Sequence, residues 1–102
     1  MDLGANTDPL PRHLRSTYQL IKASFPEAID PESYLSLLAL LGEKMSDRNL
    51  ADVVACALGV DYARALHDVY GARSTAAPSA EAVEKVRQRL LSCGYEKWLQ
   101  EE

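Results

Sequence analysis

Cysteine is scarce in this chain of 102 residues, and its scarcity limits the kinds of site that the chain can form. The two cysteines, Cys56 and Cys93, are too few for a disulfide framework, and their wide separation matches no zinc-ligand spacing. We expect both to be reduced thiols. The two histidines, His13 and His67, have no cysteine or carboxylate at a spacing that would complete a metal site. We therefore expect no metal and no other cofactor.

Long hydrophobic runs are absent as well. The longest run extends from Tyr34 to Leu41, is interrupted by Ser36, and is far shorter than the roughly 20 residues that a membrane-spanning helix needs. A secretory signal begins with positively charged residues followed by an apolar run. This chain instead has the acidic residues Asp2 and Asp8 near its N-terminus, and no long apolar run follows them. These features predict a cytoplasmic protein with no membrane partner.

The sequence also lacks strand-like alternation, repeats of solenoid length and clusters of glycine. Four of the five glycines stand singly, each where a helix would end, rather than in a phosphate-binding loop: Gly42, Gly59, Gly71 and Gly94. Neither cysteine lies beside a basic cluster that would activate it as a nucleophile. We expect no catalytic residue and no enzyme activity.

Positive charge is in deficit, since the formal net charge at pH 7 is -4. The acidic excess lies in the centre of the chain, where residues 26–70 hold eight acidic side chains against three basic ones, a net charge of -5. Nucleic-acid affinity depends mainly on neutralising phosphates. An acidic centre therefore argues against DNA or RNA as a partner.

Apolar residues at helical spacing are what the sequence does contain. Hydrophobic residues make up 47% of the chain and charged residues 25%, which is typical of one folded domain of this length. The first helix is predicted by apolar residues three and four positions apart: Leu10, Leu14, Tyr18, Ile21 and Phe25. Pro26 predicts its end.

Capping residues predict the second and third helices. Asp30 followed by Pro31 favours a helix start, and the leucines that follow occupy most of the helix circumference, so we expect this helix to be central. Gly42 predicts a left-handed end for it. Ser46 is the expected N-cap of the third helix, and Gly59 its expected left-handed end.

Two shorter patterns predict a fourth and a fifth helix. The fourth is expected from about Asp61 to Tyr70, ended by Gly71, with one apolar side made of four residues: Tyr62, Leu66, Val69 and Tyr70. The fifth is expected between Ser79 as its N-cap and Gly94. The whole chain is thus predicted to be all-α, a compact irregular bundle of five short helices.

The predicted helices divide the chain into three segments. We expect residues 1–9 to be a flexible N-terminal segment, residues 10–99 to form the single domain, and residues 100–102 to fray.

Four segments together resemble a known family: Phe25-Pro26, Asp30–Leu41, Met45–Asp47 and Ala77–Val83. In this combination the chain is similar to the small actinobacterial, chiefly mycobacterial, helical proteins of the domain of unknown function 3349 family, over about residues 10 to 95. The resemblance implies a monomeric bundle of five short helices. It brings no catalytic, cofactor-binding or partner-binding residue.

One fragment resembles a DNA-binding motif. Residues 55–61 read like the first helix and turn of a helix-turn-helix, followed by a cap. The residues that would face DNA are Tyr62, Arg64 and His67, with a single fixed positive charge among them. An ordinary corner between two helices, with glycine at the turn, has the same sequence pattern. The local acidity also argues against DNA binding.

Three functions remain open at this stage. The leading hypothesis is a protein-interaction module with a docking patch of Tyr70, Tyr95 and Trp98, because aromatic side chains dominate interface energetics. The same three residues have a second interpretation as core, which the small size of the domain favours. The alternatives are a degenerate helix-turn-helix DNA binder and a small-molecule carrier with a cavity among the leucines of the second and third helices.

Overall fold

A computed structural model describes residues 14–74 and 77–100 of the chain. These residues form α-helices and contain no strand. The helices are α1 (Arg15–Ser24), α2 (Pro31–Leu41), α3 (Asp47–Leu58), α4 (Tyr62–Ala72), α5 (Ala80–Leu91) and α6 (Tyr95–Gln100). The predicted all-α class is confirmed. The number differs from the predicted five, because the last aromatic segment forms the additional short helix α6.

The predicted helix starts are confirmed by their hydrogen bonds. The side chains of Asp30, Ser46, Asp61 and Ser79 each accept a backbone N–H from the first turn of the following helix, at 3.1 to 3.2 Å. Such a cap satisfies an amide that has no partner within the helix and stabilises it by about 1 kcal/mol. Four of the six helix starts are therefore set by local chemistry.

The predicted helix ends are right in part: α1 ends at Ser24, before Pro26, and α2 ends at Leu41, before Gly42, whereas α5 ends at Leu91, three residues before the left-handed Gly94. Gly59 adopts the left-handed conformation expected of it, with φ of 71°. Gly42 instead stays right-handed, with φ of -65°, because the chain continues as a tight turn whose amides bond back to α2. Gly71 does not end α4, which runs on to Ala72. Burial of Ala72 in the core offsets the roughly 1 kcal/mol by which glycine disfavours a helix interior.

The core lies among the helices, which pack against one another in pairs. Helix α2 packs against α4 and α5, and α3 packs against α1 and α4. Helix α6 packs against α1 and α5. The fully buried aliphatic side chains come from five helices: Ile21, Leu37, Leu38, Leu41, Leu50, Val53, Val54, Val69 and Leu90. The residues between Leu37 and Leu41 supply much of this core, as expected of a helix that is apolar on most sides.

Two arginines distant in the sequence, one in α5 and one directly after α4, bond to carbonyl groups where α1 and α2 end. Arg89 of α5 donates through Nε to the carbonyl of Ser24 at 2.6 Å, and Arg73 donates through Nη2 to the carbonyl of Gly42 at 2.7 Å. The last carbonyls of a helix have no partner within it, and a cation there also complements the helix dipole. These arginines therefore tie helices together.

Some predicted boundaries fall outside the described part of the chain. The expected flexible segment 1–9 and the expected domain start at Leu10 lie there, and so do residues 101 and 102. Gln100, which was expected to fray, is the last residue of α6. Within the described residues, no helix has the length and apolar character needed to cross a membrane.

Candidate interaction surface

Helix α4 packs on its neighbours through small side chains. Its buried residues are Ala65, Val69 and Ala72, which face α2 and α3. Small side chains let helix axes approach closely, and the interface then has no room for larger groups. The larger apolar residues of α4 are consequently displaced from the interface.

Two tyrosines of α4 point into solvent as a result. Tyr70 is 52% exposed and Tyr62 is 39% exposed, and they are the only exposed large hydrophobic residues in the described part of the chain. The sequence pattern groups both with Leu66 and Val69 on one apolar side, and of these four residues only Val69 is fully buried. Leu66, half-buried, lies between them at a spacing of four residues.

We define the α4 surface by the residues on this solvent side of the helix: Tyr62, Ala63, Leu66, His67 and Tyr70. It contains no aspartate, glutamate, lysine or arginine. This row is apolar apart from the imidazole of His67, whereas a quarter of the residues of the whole chain are charged.

Two arginines, one in the first turns of α4 and one directly after its end, are held in ion pairs. Arg64 forms an ion pair with Asp68 through Nε at 3.5 Å, and Arg73 pairs with Asp47 through Nη1 at 2.9 Å. In each pair the arginine is the more exposed partner: the side chains of Arg64 and Asp68 are 71% and 17% exposed, and those of Arg73 and Asp47 are 46% and 27% exposed. Arg64 lies on the side of α4 that lines a groove with Asp61 and Asp68, and not on the side of the two tyrosines.

The predicted docking patch of Tyr70, Tyr95 and Trp98 is not assembled. Tyr95 is buried and stacks on Trp98 with 5.7 Å between ring centroids, and Trp98 donates from its indole Nε1 to Thr17 Oγ1 at 2.8 Å. Both rings lie on α6, which packs against α1 and α5, whereas Tyr70 lies on α4. Burial, with a smaller effect of the Glu43 carboxylate, raises the pKa of Tyr95. The core interpretation is thus right for Tyr95, holds in part for the half-buried Trp98, and is wrong for Tyr70.

The residues of the DNA hypothesis are all on the accessible side of α4. Tyr62, Arg64 and His67 are exposed, and α3 and α4 are joined by the three-residue turn 59–61. Arg64 is the only one of the three with a fixed positive charge, and it shares that charge with Asp68. The α3–α4 corner thus has the connectivity of a helix-turn-helix but little of its phosphate-binding charge.

A second feature is an open groove of about 1010 Å³ where α1 and α3 end and α2 and α4 begin. Its apolar wall includes Phe25, Ile29, Leu58 and Val60. The carrier hypothesis had placed a cavity among the leucines of α2 and α3, but the leucines at the centre of those helices are buried in the core and do not line this groove. The groove is instead made by helix ends and the 25–30 connection.

The polar groups of the groove already bond to one another. Tyr34 donates from its hydroxyl to Asp68 Oδ2 at 2.8 Å, and Lys22 donates from Nζ to the carbonyl of Ala57 at 3.3 Å. Burial, and then the hydrogen bond to Asp68, raise the pKa of Tyr34 well above its usual range, so the phenol stays protonated. These bonds link α2 to α4 and α1 to α3.

The exposed Cys56 also lines the groove, while Cys93 is half-buried near α6. Among the described residues, the two thiols are not joined in a disulfide, and no three histidine, cysteine or acidic side chains converge as metal ligands would. His13 lies outside the described range.

Comparison of the chain with family models, with curated proteins and with solved structures finds no match.

Proposed function

We propose that this chain is a non-catalytic, cytoplasmic protein-interaction module that binds its partner through the α4 surface. The observation that carries the proposal is the exposure of Tyr62 and Tyr70 on one helix. Tyrosine is enriched in protein interfaces because it combines a large apolar ring with a polar tip.

The free energy available from these side chains supports a binding role. A tyrosine contributes an area of about 200 Å², so the 52% exposure of Tyr70 leaves roughly 100 Å² to be covered. At ~25 cal/mol per Å², covering it would contribute about 2.5 kcal/mol, the size of an interface hot spot. Tyr62 would add somewhat less.

The proposal includes a monomeric state and a place among the small helical proteins of the domain of unknown function 3349 family. The sequence segments around Asp30, Ser46 and Ser79 support that placement, and the capped helices that begin there are compatible with it.

The test is capture from a lysate of the organism that makes the protein, with variants that separate the α4 surface from the remainder. The Tyr62→Ser/Tyr70→Ser variant removes both exposed rings, and a Gln19→Ser/Lys85→Ser variant changes two exposed side chains of α1 and α5. We expect a protein retained by the wild type and the control but not by the tyrosine variant. Addition of the captured protein to the wild-type chain should shift the amide resonances of α4. Capture of the same proteins by all three chains would contradict the proposal.

The groove supports a second candidate, a small-molecule carrier. Its volume of about 1010 Å³ is at the upper end of ligand sites, and its wall is largely apolar. Native mass spectrometry of the purified chain tests it, since a carrier would retain a bound molecule. Retention of a ligand together with unchanged capture by the tyrosine variant would favour the carrier over the interaction module.

A further inference from the structure

The groove at the helix ends is a second place where this molecule leaves apolar surface open. It shares no residue with the α4 surface, because α4 lines it with Arg64 and Asp68. Three side chains of its apolar wall, Ile29, Leu58 and Val60, are only half-buried. A molecule lying in the groove would remove them from water, and the removal of apolar surface from water favours binding.

The polar side chains that cross the groove are already bonded within the protein. Asp68 accepts the Tyr34 hydroxyl at 2.8 Å and pairs with Arg64 at 3.5 Å. Lys22 donates to the carbonyl of Ala57 at 3.3 Å. A ligand that competed for these groups would first have to break contacts that join α2 to α4 or α1 to α3. The existing bonds therefore favour a ligand that leaves them in place.

The charges that line the groove disfavour an anion. Three carboxylates face two cations there: Glu27, Asp61 and Asp68 against Lys22 and Arg64. Helices α1 and α3 also end at the groove, and the carboxyl end of a helix carries partial negative charge. The opposite partial charges of α2 and α4 are met by their own caps, Asp30 and Asp61. An anionic head group would thus enter a region with an excess of negative charge.

A cation gains little in the same place. Asp61 accepts two backbone N–H groups of α4, and Asp68 is engaged by Tyr34 and Arg64. The third carboxylate, Glu27, is exposed, and an ion pair in water contributes little to binding. A charged head group of either sign would therefore lose hydration without an equivalent partner inside the groove.

We infer that the groove binds an uncharged, largely apolar small molecule. Such a ligand covers Ile29, Leu58 and Val60 and leaves the bonds of Tyr34 and Lys22 intact. The inference rests on the second candidate of the proposed function, the carrier, because it names the ligand class of the same groove. It does not depend on the α4 surface.

The probes are three molecules that share an octyl chain and differ in the charge of the head group: octan-1-ol, octanoate and octylammonium. Each is titrated into the full chain at neutral pH, below the concentration at which it self-associates, and amide chemical shifts are followed. We expect octan-1-ol to give saturable shifts centred on Ile29, Leu58 and Val60, with an affinity that does not change with salt. The two charged probes should bind more weakly by about tenfold or more.

Alkylation of the thiols provides a second measurement of where the probe lies. Cys56 is exposed and lines the groove, whereas Cys93 is half-buried and lies outside it. Octan-1-ol should slow the reaction of Cys56 with iodoacetamide in proportion to the occupied fraction of the groove, and should leave the rate at Cys93 unchanged. Peptide mass spectrometry measures both rates in one sample. An unchanged rate at Cys56 in the saturated chain would overturn the inference.

A matched pair of valine variants tests the apolar wall. Val60 lines the groove, Val83 lies on α5, and both are half-buried. Threonine has nearly the shape of valine but replaces a methyl group by a hydroxyl. Val60→Thr should weaken the binding of octan-1-ol about threefold to fivefold, the effect of one apolar carbon, and Val83→Thr should leave it unchanged. Equal affinities of the two variants, both folded by circular dichroism, would overturn the inference.

The remaining outcomes separate the inference from the proposed function. Octanoate or octylammonium bound at the groove as tightly as octan-1-ol would overturn the uncharged ligand and leave the carrier standing. Shifts that spread over the chain without saturating would show an adventitious additive only and overturn the inference. Binding of no probe would also overturn it, and a charged molecule retained in native mass spectrometry would then support the carrier alone. Lysate capture that depends on Tyr62 and Tyr70 tests the interaction module independently.

Discussion

Replacing Arg89 by alanine tests whether the contacts between distant helices stabilise the fold. Arg89 bonds to the carbonyl of Ser24 at 2.6 Å, and its guanidinium lies over the ring of Phe25, 4.7 Å from the ring centroid. A hydrogen bond to a charged group contributes about 1.5 to 3 kcal/mol and a cation–π contact about 0.5 to 1 kcal/mol. The two contacts share one side chain and one loop, so they are not independent.

We expect the Arg89→Ala variant to lose about 2 to 3 kcal/mol of unfolding free energy, less than the full sum of the two contacts, out of a total of about 5 to 15 kcal/mol for a domain of this size. A loss of ~2 kcal/mol corresponds to a fall in Tm of roughly 8 to 16 °C. Chemical denaturation followed by far-UV circular dichroism measures the change. Arg89→Lys keeps the charge but not the planar guanidinium, so its loss should be intermediate.

Lys85→Ala is the matched control, because Lys85 is an exposed cation one turn earlier on the same helix and alanine affects helix propensity similarly at both positions. Its unfolding free energy should stay within ~0.5 kcal/mol of the wild type. The reasoning is refuted if the Arg89 and Lys85 variants are equally stable, because the bond to Ser24 would then contribute nothing.

Three further predictions concern other contacts. Trp98→Phe should cost about 1 to 3 kcal/mol in denaturation experiments, because it leaves the buried Thr17 hydroxyl without its indole partner; a loss under ~0.5 kcal/mol would contradict that bond. The raised pKa of Tyr34 means that the folded chain holds this proton more tightly than the unfolded chain, whose phenol has a pKa near 10.0. The contribution of the protonated Tyr34 phenol to the free energy of unfolding is therefore complete below about pH 10 and is lost as pH rises further. The free energy of unfolding, measured from about pH 9 to pH 11, should consequently fall less steeply in Tyr34→Phe than in the wild type. Gly59→Ala should cost about 1 to 2 kcal/mol at φ of 71°, whereas Gly59→Asn should cost less, and equal losses would refute a backbone cause.

The helix starts were predictable from sequence because capping is local. Asp30, Ser46 and Ser79 bond to amides only three residues away, so the sequence window that holds the cap also holds its partner. The position at which α2 ends was predictable from Gly42, but the right-handed conformation and the bonding of that glycine were not. The carbonyl of Gly42 is bonded by Arg73, 31 residues later, and no local pattern contains that contact.

The aromatic residues also depended on contacts between residues far apart in the chain, which no local sequence pattern contains. Tyr95 and Trp98 had two open interpretations, exposed patch or core, and the decision depended on Thr17, which is 81 residues from Trp98 in the chain. For α4, the spacing correctly grouped Tyr62 with Leu66 and Tyr70 but did not say whether that side is covered.

The sequence by itself determined the helical class, the positions where α2, α3, α4 and α5 begin, and most of the residues that fill the interior. It could do so because helical period and capping depend on residues a few positions apart. The tertiary structure alone decided which side of α4 faces solvent. Both sides of that helix are apolar, and the side with Ala65 and Ala72 became the interface because small residues allow α3 to approach closely. The exposed tyrosines, and with them the candidate binding surface, are a consequence of that packing.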